Sequence, residues 1–543
     1  MIVLVHILLF VVASECIISQ ETAVTHLNKL FWSWNTLNEG LEVGQGAYSY
    51  GVVSRRGPIE ANKVIMEVPL SATLCLESIE QRPYGKVLLA SESITESDKI
   101  TLAILTEYAS GIAAPSSFYY WLRAVPNSTT LIPPFLWPLD IISQMEPKSL
   151  RKEVEGRISI SLQNYKRVTL DSKLLSYLKK YVKQLRNEWK EKLDRDRSRR
   201  SIDAEVIDGE EMDEDDEDKD PFRLERYNWA QALLDSRGWN MNGHVYFVPV
   251  ADMFNHRESS DDREFNVREK IFFSFRSQKF LETHTIVMRS GGSSVFRIKS
   301  DQAAKQGEEL FESYGDNPNE IYFQFHGFVP DVLRNRYDCE KVDIASWPTS
   351  QLDWQYGKWK HNLWKQFRFF FSSTVCLSFD YRVTVELNPL VMIPALVDSL
   401  PMQISTPLLD CCKAAAKAHG FGNSYRHASS TYKTLVQCLL DNFHGGEDAL
   451  QQLLRRHYDT AQKLLMAHFR DQYISSNVVS DEELLSRLVS RSSGSNDVSV
   501  QRRIVVLRLK ISRKHILRQL LTVIKNHRED LATIIGGSGE KDF

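Results

Sequence analysis

Near the amino terminus, apolar and polar positions alternate with a period of two. β-Branched residues such as Val52, Val64 and Ile65 lie among glycine, asparagine and proline over residues 48–69. Short alternating runs bounded by turn-forming residues are typical of strands joined by tight turns. We therefore predict a small, hairpin-rich sheet in this part of the chain.

The period changes to that of a helix between about residues 96 and 235. Leu102, Leu105 and Tyr108 repeat at helical spacing, and the apolar residues from Leu224 to Leu234 do the same. These patterns predict a helical insertion over about 96–235. A charge-dense tract at about 195–220 carries too little apolar surface to order itself. We predict a disordered loop there, with an acidic docking site as the alternative.

Apolar runs typical of strands return after residue 240. The continuous run from Val245 to Val250 predicts a buried strand, because Gly243 and Asp252 bound it on either side. Further strands are predicted at 271–275, 285–288 and 295–299. We expect the core domain to close near Pro330.

Beyond about Ser346, amphipathic helical patterns replace the alternation. Two apolar stripes carry this pattern: Ala449, Leu453, Leu454, Tyr458, Ala461, Leu465 and Phe469, and then Ile504, Leu507, Ile511, Leu517, Leu520 and Ile524. We predict a helical domain over residues 345–543, with a loop at about 492–499. The predicted class is α+β, with small β-sheets and a helical insertion followed by an all-helical C-terminal domain.

Composition narrows the classes of protein to which the chain belongs. It has 543 residues, of which 43% are hydrophobic and 25% charged, as in an ordinary globular protein of two or three units. A formal net charge of −3 lacks the basic excess that nucleic-acid binders carry. We therefore expect no nucleic-acid partner.

The first residues have the character of a targeting segment. The apolar run from Ile2 to Val12 ends in small and polar residues, so we predict a signal peptide over residues 1–20. The run is too short to span a bilayer, and no stable membrane span is expected. A functional signal peptide implies the secretory pathway or the ER lumen, where the sequon at Asn127 becomes relevant. Otherwise we expect a cytoplasmic or plastid protein.

The cysteines do not indicate a metal site. The seven cysteines include no C-x-x-C pair and no histidine partners at zinc-finger spacing. Their sparse use in a long chain also argues against a disulfide scaffold. We predict no metal and interpret the cysteines as buried thiols, with one or two bridges as the alternative in an oxidising lumen.

The candidate chemistry lies in two short segments, each placed directly after a predicted strand. Residues 250–256 read Val-Ala-Asp-Met-Phe-Asn-His, and residues 307–315 read Gly-Glu-Glu-Leu-Phe-Glu-Ser-Tyr-Gly. Asn319 and the pair Gly327-Phe328 follow. In this order the segments resemble the Rubisco large-subunit methyltransferase-like branch of the SET-domain methyltransferases, which also includes the actin histidine methyltransferase. A strand end capped by polar side chains is the structural alternative.

The resemblance implies S-adenosyl-L-methionine as cofactor and a set of residues that hold it. Asn255 matches the asparagine that binds the amino-acid end of the cofactor, and His256 contacts it through its backbone. Arg237 matches an arginine placed against the cofactor carboxylate, a group that its planar fork suits. The other matching positions are Asp252, Met253 and Phe254 at the strand end, Gly51 at a close backbone approach, Lys63, Val64 and Ile65 along a strand edge, and His326.

Two further matching residues concern the methyl transfer and the side chain that accepts the methyl group. Tyr314 matches the family's catalytic tyrosine, which orients the acceptor nitrogen and also contributes to substrate binding. Trp239 stands where lysine-directed relatives carry an aromatic residue, and an aromatic face suits an aliphatic lysine stem or a cation. The structural alternative is that Trp239 packs in the core.

The resemblance therefore implies a SET-domain protein methyltransferase that acts on a lysine of a non-histone protein. The SET domain is predicted over residues 21–330, and the helical domain over 345–543 matches the family's substrate-binding domain in position and character. We expect a protein substrate and a monomer. Two alternatives stay open: a protein-histidine methyltransferase of the same fold, and a non-catalytic SET-fold protein-binding module.

Overall fold

The structure is a computed structural model of the full chain. It describes residues 20–34, 40–46, 50–113, 118–126, 133–199, 220–241, 243–256, 267–268, 284–288, 294–300, 302–315, 317–330, 335, 337–343, 374–378, 447–474, 477–492 and 497–529. The chain forms two compact units. Unit 1 comprises residues 1–138, 154–316 and 324–327, and unit 2 comprises 139–153, 317–323 and 328–543.

The strands are short. They are β1 (Leu41–Gln45), β2 (Tyr50–Ser54), β3 (Val64–Pro69), β4 (Trp239–Met241), β5 (His244–Tyr246), β6 (Val267–Arg268), β7 (His284–Met288), β8 (Ser294–Lys299), β9 (Glu309–Leu310), β10 (Glu312–Ser313), β11 (Cys339–Asp343) and β12 (Thr374–Ser378).

The helices account for most of the described residues. They are α1 (Gln20–Trp34), α2 (Leu76–Glu80), α3 (Gly85–Ala90), α4 (Glu96–Ser110), α5 (Phe118–Ala124), α6 (Leu139–Ser143), α7 (Lys148–Leu170), α8 (Ser172–Arg199), α9 (Leu224–Arg237), α10 (Asn319–Ile321), α11 (Glu447–Gln472), α12 (Val478–Ser492) and α13 (Val498–Glu529).

Unit 1 contains two three-stranded antiparallel sheets, in the strand orders β1-β2-β9 and β3-β8-β7. The strands predicted over residues 48–69 are present, but β2 and β3 belong to different sheets instead of forming one hairpin. Strand β9 comes from far along the chain, and Glu309 lies opposite Val53 of β2. This pairing places the segment that follows β9 beside the amino-terminal sheet.

Local capping and apolar spacing explain the helices of the insertion. Thr95 caps α4, since its hydroxyl accepts from the Asp98 amide while the Asp98 carboxylate accepts from the Thr95 amide at 2.9 Å. Leu102 and Leu105 are buried, as their helical spacing predicts. Helix α9 likewise buries Tyr227 and Leu234. These helices cover a core whose fully buried large side chains include Phe31, Trp121, Trp229, Phe247, Phe254 and Phe296.

Unit 2 is largely helical, as the two apolar stripes predict. The described stripe residues on α11 and α13, such as Leu465 and Leu517, are buried, and α11 and α12 both pack against α13. Strands β11 and β12 form an antiparallel pair that the sequence analysis missed. Strand β12 reads Thr-Val-Cys-Leu-Ser, and this short β-branched stretch is too brief to show a period beside long helical patterns. The unit is therefore helical with one added strand pair.

Several predictions need correction or lie outside the described residues. Helix α8 continues to Arg199, so the start of the charged tract is helical because the helix pattern continues into the charged residues. Cys339 is disulfide-bonded, whereas Cys75 is a buried free thiol. The signal peptide up to residue 19, the sequon at Asn127, the charged tract from 200 to 219 and the strand at 271–275 are not described and stay predictions.

Candidate functional site

The two polar segments meet in unit 1. Asn255 and Phe311 form an isolated parallel bridge, and the Glu312 amide donates to the Asn255 carbonyl oxygen at 2.9 Å. Because this contact joins backbone to backbone, it fixes how the residues after Asn255 align with the residues after Phe311. His256 and Tyr314 are thereby brought within contact distance.

The segment before Asn255 turns sharply, and the predicted strand over 245–250 is wrong in its length. Strand β5 ends at Tyr246, after which Phe247 bridges to Leu74 in a second backbone pairing. Val250 then adopts a φ of 69°, a conformation that strains a β-branched residue. Burial explains the continuous apolar run, since burial alone does not distinguish a strand from a compact turn. The turn directs residues 251–256 toward Phe311.

Tyr314 lies among aromatic rings and backbone groups at the centre of this arrangement. Its hydroxyl donates to the Phe254 carbonyl oxygen at 2.7 Å, and its amide donates to His256 Nδ1 at 3.3 Å. Its ring stacks on His256 at a centroid distance of 5.2 Å and on His326 at 4.4 Å. The tyrosine is therefore held at its backbone, along its ring and at its hydroxyl.

Burial keeps the three ring side chains uncharged. It lowers the pKa of His256 to about 4 and that of His326 to about 3, so both imidazoles are neutral at physiological pH. Burial also raises the pKa of the Tyr314 phenol well above its usual range, although the Arg237 guanidinium acts in the opposite direction. This part of the site is thus apolar and neutral, with hydrogen-bonding atoms in defined places.

Arg237 and Asp252 form the charged edge of the site. Arg237 Nη1 donates to the Asp252 carbonyl oxygen at 2.6 Å and lies 3.7 Å from the Asp252 carboxylate and from Met253 Sδ. The Asp252 carboxylate accepts from Trp121 Nε1 at 3.2 Å. Burial raises the pKa of Asp252 to about 6, even though the neighbouring Arg237 lowers it. Within the described part of the chain, every side-chain hydrogen bond of Arg237 runs through Nη1.

Asn255 has a carboxylate partner that the sequence analysis missed. Its Nδ2 donates to Glu309 Oε1 at 2.7 Å and to the Tyr50 carbonyl oxygen at 3.3 Å. The space beside Gly51 is filled by these side chains, because a Cβ there would overlap the Glu309 carboxylate and lie 2.8 Å from Asn255 Nδ2. Gly46 leaves room for the same carboxylate. The glycines therefore accommodate Glu309.

The pattern of β9 contains the signal that could have identified Glu309. Two consecutive acids, Glu308 and Glu309, precede Leu310, and in a strand neighbouring side chains point to opposite faces. Glu308 is exposed and its carboxylate accepts from the Lys305 amide at 2.8 Å, so Glu309 is directed to the other face. Because neighbouring side chains point to opposite faces, only one of the two acids can face solvent.

The described contacts link the remaining predicted residues to other neighbours. The Lys63 side chain is exposed and pairs with Glu60 at 2.5 Å, while its carbonyl oxygen accepts from the Ser300 amide. Val64 pairs with Lys299 of β8, and Ile65 lies at an irregularity of the same strand pair. Trp239 is 7% exposed and packs edge-on against Phe296 at a centroid distance of 5.8 Å. These contacts place the four residues next to the β3-β8 pair.

Three solved structures resemble the chain over nearly its whole length. Rubisco LSMT bound to sinefungin and monomethyllysine is 14% identical over 95% of this chain and 97% of that chain, with a TM-score of 0.54. The SET domain of LSMT bound to lysine and AdoHcy is 14% identical over 94% and 93%, with a TM-score of 0.52. Rubisco LSMT bound to AdoMet is 15% identical over 96% and 97%, with a TM-score of 0.50.

This likeness establishes the fold. The chain has the α+β fold of the LSMT structures, with a helical C-terminal region, as the motifs predicted. No protein-family model and no curated protein sequence matches it. Among the described residues, no helix combines the length and apolar character needed to cross a bilayer. The described residues also contain no cluster of side chains suited to a metal ion.

Proposed function

We propose that this protein is an S-adenosylmethionine-dependent methyltransferase that modifies a lysine side chain of a non-histone protein. The observation that carries the proposal is the convergence of Asn255, His256 and Tyr314 on the bridge between two distant segments. The LSMT structures with the same fold are bound to AdoMet, or to AdoHcy and lysine. The proposal is that this chain, which has low sequence identity to the LSMT structures, binds the same cofactor and the same type of acceptor.

The residues present fit the charges of the cofactor. Its amino-acid end carries an ammonium and a carboxylate, and the site offers the Asn255 amide for the first and the Arg237 guanidinium for the second. A guanidinium that uses one nitrogen for Asp252 keeps its remaining donors for a carboxylate. When bound, S-adenosylmethionine supplies a methyl group on a positively charged sulfonium.

The neutral rings of the site suit a cationic methyl donor. Protonated imidazoles at His256 and His326 would repel a positive charge, and burial keeps both neutral at physiological pH. The Tyr314 ring stacks on both of these imidazoles, so neutral rings surround the phenol. The chain thus provides orientation, which can supply about 7–11 kcal/mol of a barrier between two aligned reactants.

Tyr314 orients the acceptor through its oxygen lone pairs. Its proton is committed to the Phe254 carbonyl oxygen, and its raised pKa keeps the phenol protonated. The oxygen therefore acts as a hydrogen-bond acceptor toward an N–H group. A neutral lysine amine has both N–H groups and a lone pair on one nitrogen, whereas the attacking nitrogen of a neutral imidazole has only the lone pair. This difference supports lysine over histidine.

A labelling experiment tests the proposal. The full chain is incubated with methyl-labelled S-adenosylmethionine and a cell extract, and the labelled residue is mapped by mass spectrometry. We expect label on a lysine Nζ. Label on a histidine ring would replace lysine by the imidazole alternative. Cofactor binding by calorimetry without label on any protein would instead favour the non-catalytic binding module, and absence of both would remove the proposal.

A further inference from the structure

We infer that Glu309 is a positioning residue that fixes the orientation of the Asn255 side-chain amide, so that Asn255 Oδ1 remains the acceptor for the ammonium group of the cofactor. The inference rests on the proposed function and deepens it. It assigns a role to a half-buried carboxylate that neither the motifs nor the fold explains.

The first step is the direction of the Asn255 amide. Both hydrogen bonds of this side chain run from Nδ2, to Glu309 Oε1 at 2.7 Å and to the Tyr50 carbonyl oxygen at 3.3 Å. Rotating the amide by half a turn would aim Oδ1 at two oxygens that cannot donate, a carbonyl and an ionised carboxylate. The two acceptors therefore permit a single orientation. Within the described chain, no group donates to Asn255 Oδ1.

The second step is how the carboxylate itself is held. Glu309 lies in β9, whose backbone pairs with Val53 of β2, so its side chain starts from a fixed position. Gly46 and Gly51 lack the Cβ atoms that would occupy the place of the carboxylate. The two glycines thus leave the space that the Glu309 carboxylate occupies. A larger residue at either glycine would displace the group that orients Asn255.

The third step is the chemistry that this orientation allows. A neutral amide oxygen can accept from an ammonium without carrying a charge of its own, and the carboxylate beside Nδ2 polarises the amide toward a more negative oxygen. Because Glu309 acts through Asn255, an uncharged side chain that accepts a hydrogen bond from Asn255 Nδ2 should be able to take its place. This separates positioning from a direct charge effect.

Calorimetry with three Glu309 and Glu308 variants tests the inference. The ligands are S-adenosylmethionine, S-adenosylhomocysteine and methylthioadenosine, of which only the last lacks the amino-acid end. Glu309→Leu removes the acceptor, and we expect the Kd of both amino-acid ligands to rise by about tenfold or more, as for a lost charge-assisted hydrogen bond. Glu309→Gln keeps an acceptor oxygen and should stay within about threefold of wild type. Glu308→Gln is the matched control and should change nothing.

Methylthioadenosine separates positioning from loss of structure. Its Kd should be equal for wild type, Glu309→Leu and Glu309→Gln, because it has no ammonium. In an Asn255→Ala background, Glu309→Leu should add no further loss, since coupled residues are not additive. Equal weakening of all three ligands, unchanged affinity in Glu309→Leu, or a loss in Glu309→Gln as large as in Glu309→Leu would each overturn the inference. A wild-type chain that binds none of the ligands would instead overturn the proposed function, and the inference with it.

Discussion

One cluster of polar groups in unit 1 and one in unit 2 are organised in opposite ways. In unit 1, His256 is buried, Tyr314 and His326 are partly buried, and all three are kept uncharged. In unit 2, Arg513 is 2% exposed yet charged, with its Nη2 at 3.4 Å from the Asp338 carboxylate and 3.5 Å from the Glu320 carboxylate. Both clusters contain shifted pKa values, so a shift by itself does not indicate which cluster acts on a ligand.

The unit 2 cluster pairs its buried charges with one another. Asn319 Nδ2 and the Ser512 hydroxyl both donate to the Asp338 carboxylate. The Glu340 carboxylate accepts from the Tyr473 hydroxyl at 3.0 Å and contacts His468 at 2.8 Å. Burial lowers the pKa of Arg513, but the surrounding carboxylates outweigh burial and raise it above its ordinary value. Such compensation is typical of a network that specifies a fold.

The comparison teaches what to look for in a site. The unit 2 network pairs its buried charges inside the protein, whereas the candidate site also contains a neutral side chain with an acceptor atom to which no described group donates. Asn255 Oδ1 is such an atom. Asn319 belongs to the family-like motif by sequence, but its described contacts assign it to the unit 2 network.

Breaking the unit 2 network should give the largest effect. Arg513→Met leaves Asp338 and Glu320 buried without their cation, and we expect the free energy of unfolding to fall by about 3–5 kcal/mol. Urea denaturation measures this. Arg503→Met, at an exposed position of the same helix, is the control and should stay within about 0.5 kcal/mol. A loss below about 1 kcal/mol in Arg513→Met would mean that the network does not carry the fold.

Removing the Tyr314 hydroxyl should act on the reaction with little effect on stability. For Tyr314→Phe we expect the initial rate of methyl transfer to fall about 100-fold, because the acceptor loses its orienting oxygen. Cofactor affinity should change by less than about threefold. Tyr165→Phe is the control, since it removes a similar bond to the Phe222 carbonyl oxygen. Equal rates in the two variants would contradict the assigned role.

Filling the space beside Gly51 should disturb the Asn255 side of the site. Gly51→Ala places a methyl group against the Glu309 carboxylate and Asn255 Nδ2. We expect cofactor affinity to fall about tenfold and the free energy of unfolding to fall by about 1–3 kcal/mol. Gly57→Ala is the control, because a Cβ at Gly57 meets nothing within 4 Å. Calorimetry and urea denaturation measure the two quantities, and unchanged affinity in Gly51→Ala would be the contrary result.

The last effect concerns acid stability. His256 and His326 are neutral in the fold down to about pH 4 and 3, but in the unfolded chain they protonate below about pH 6.5. The unfolded state thus binds more protons in this window, so stability falls as pH falls, by up to about 1.4 kcal/mol per pH unit for each histidine. Asp252, with its raised pKa of about 6, contributes the opposite sign between about pH 4 and 6.

Replacing His326 isolates one share of this slope. In His326→Gln, the free energy of unfolding should depend less steeply on pH between about 4.5 and 6.5 than in wild type. Urea denaturation at several pH values in that window measures the slope. An identical slope in wild type and His326→Gln would show that burial does not neutralise His326.

Long helices could be predicted from the sequence, whereas short connections could not. The spacing from Leu224 to Leu234 located α9, and the apolar stripes located α11 and α13. The run from Val245 to Val250 was predicted as one strand, but strand β5 ends at Tyr246 and the backbone turns at Val250. A helix repeats its pattern over many residues, while a turn depends on a backbone conformation that no periodicity records.

The sequence by itself determined the residue types of the candidate site and their order, because a family-like motif is local. Asn255, His256 and Tyr314 can be named from two short segments. Only the tertiary structure decided which atoms meet, since the Asn255–Phe311 bridge joins segments far apart in the chain. Glu309 shows the difference most plainly, because its carboxylate gains a role only where two glycines and an amide from other strands surround it.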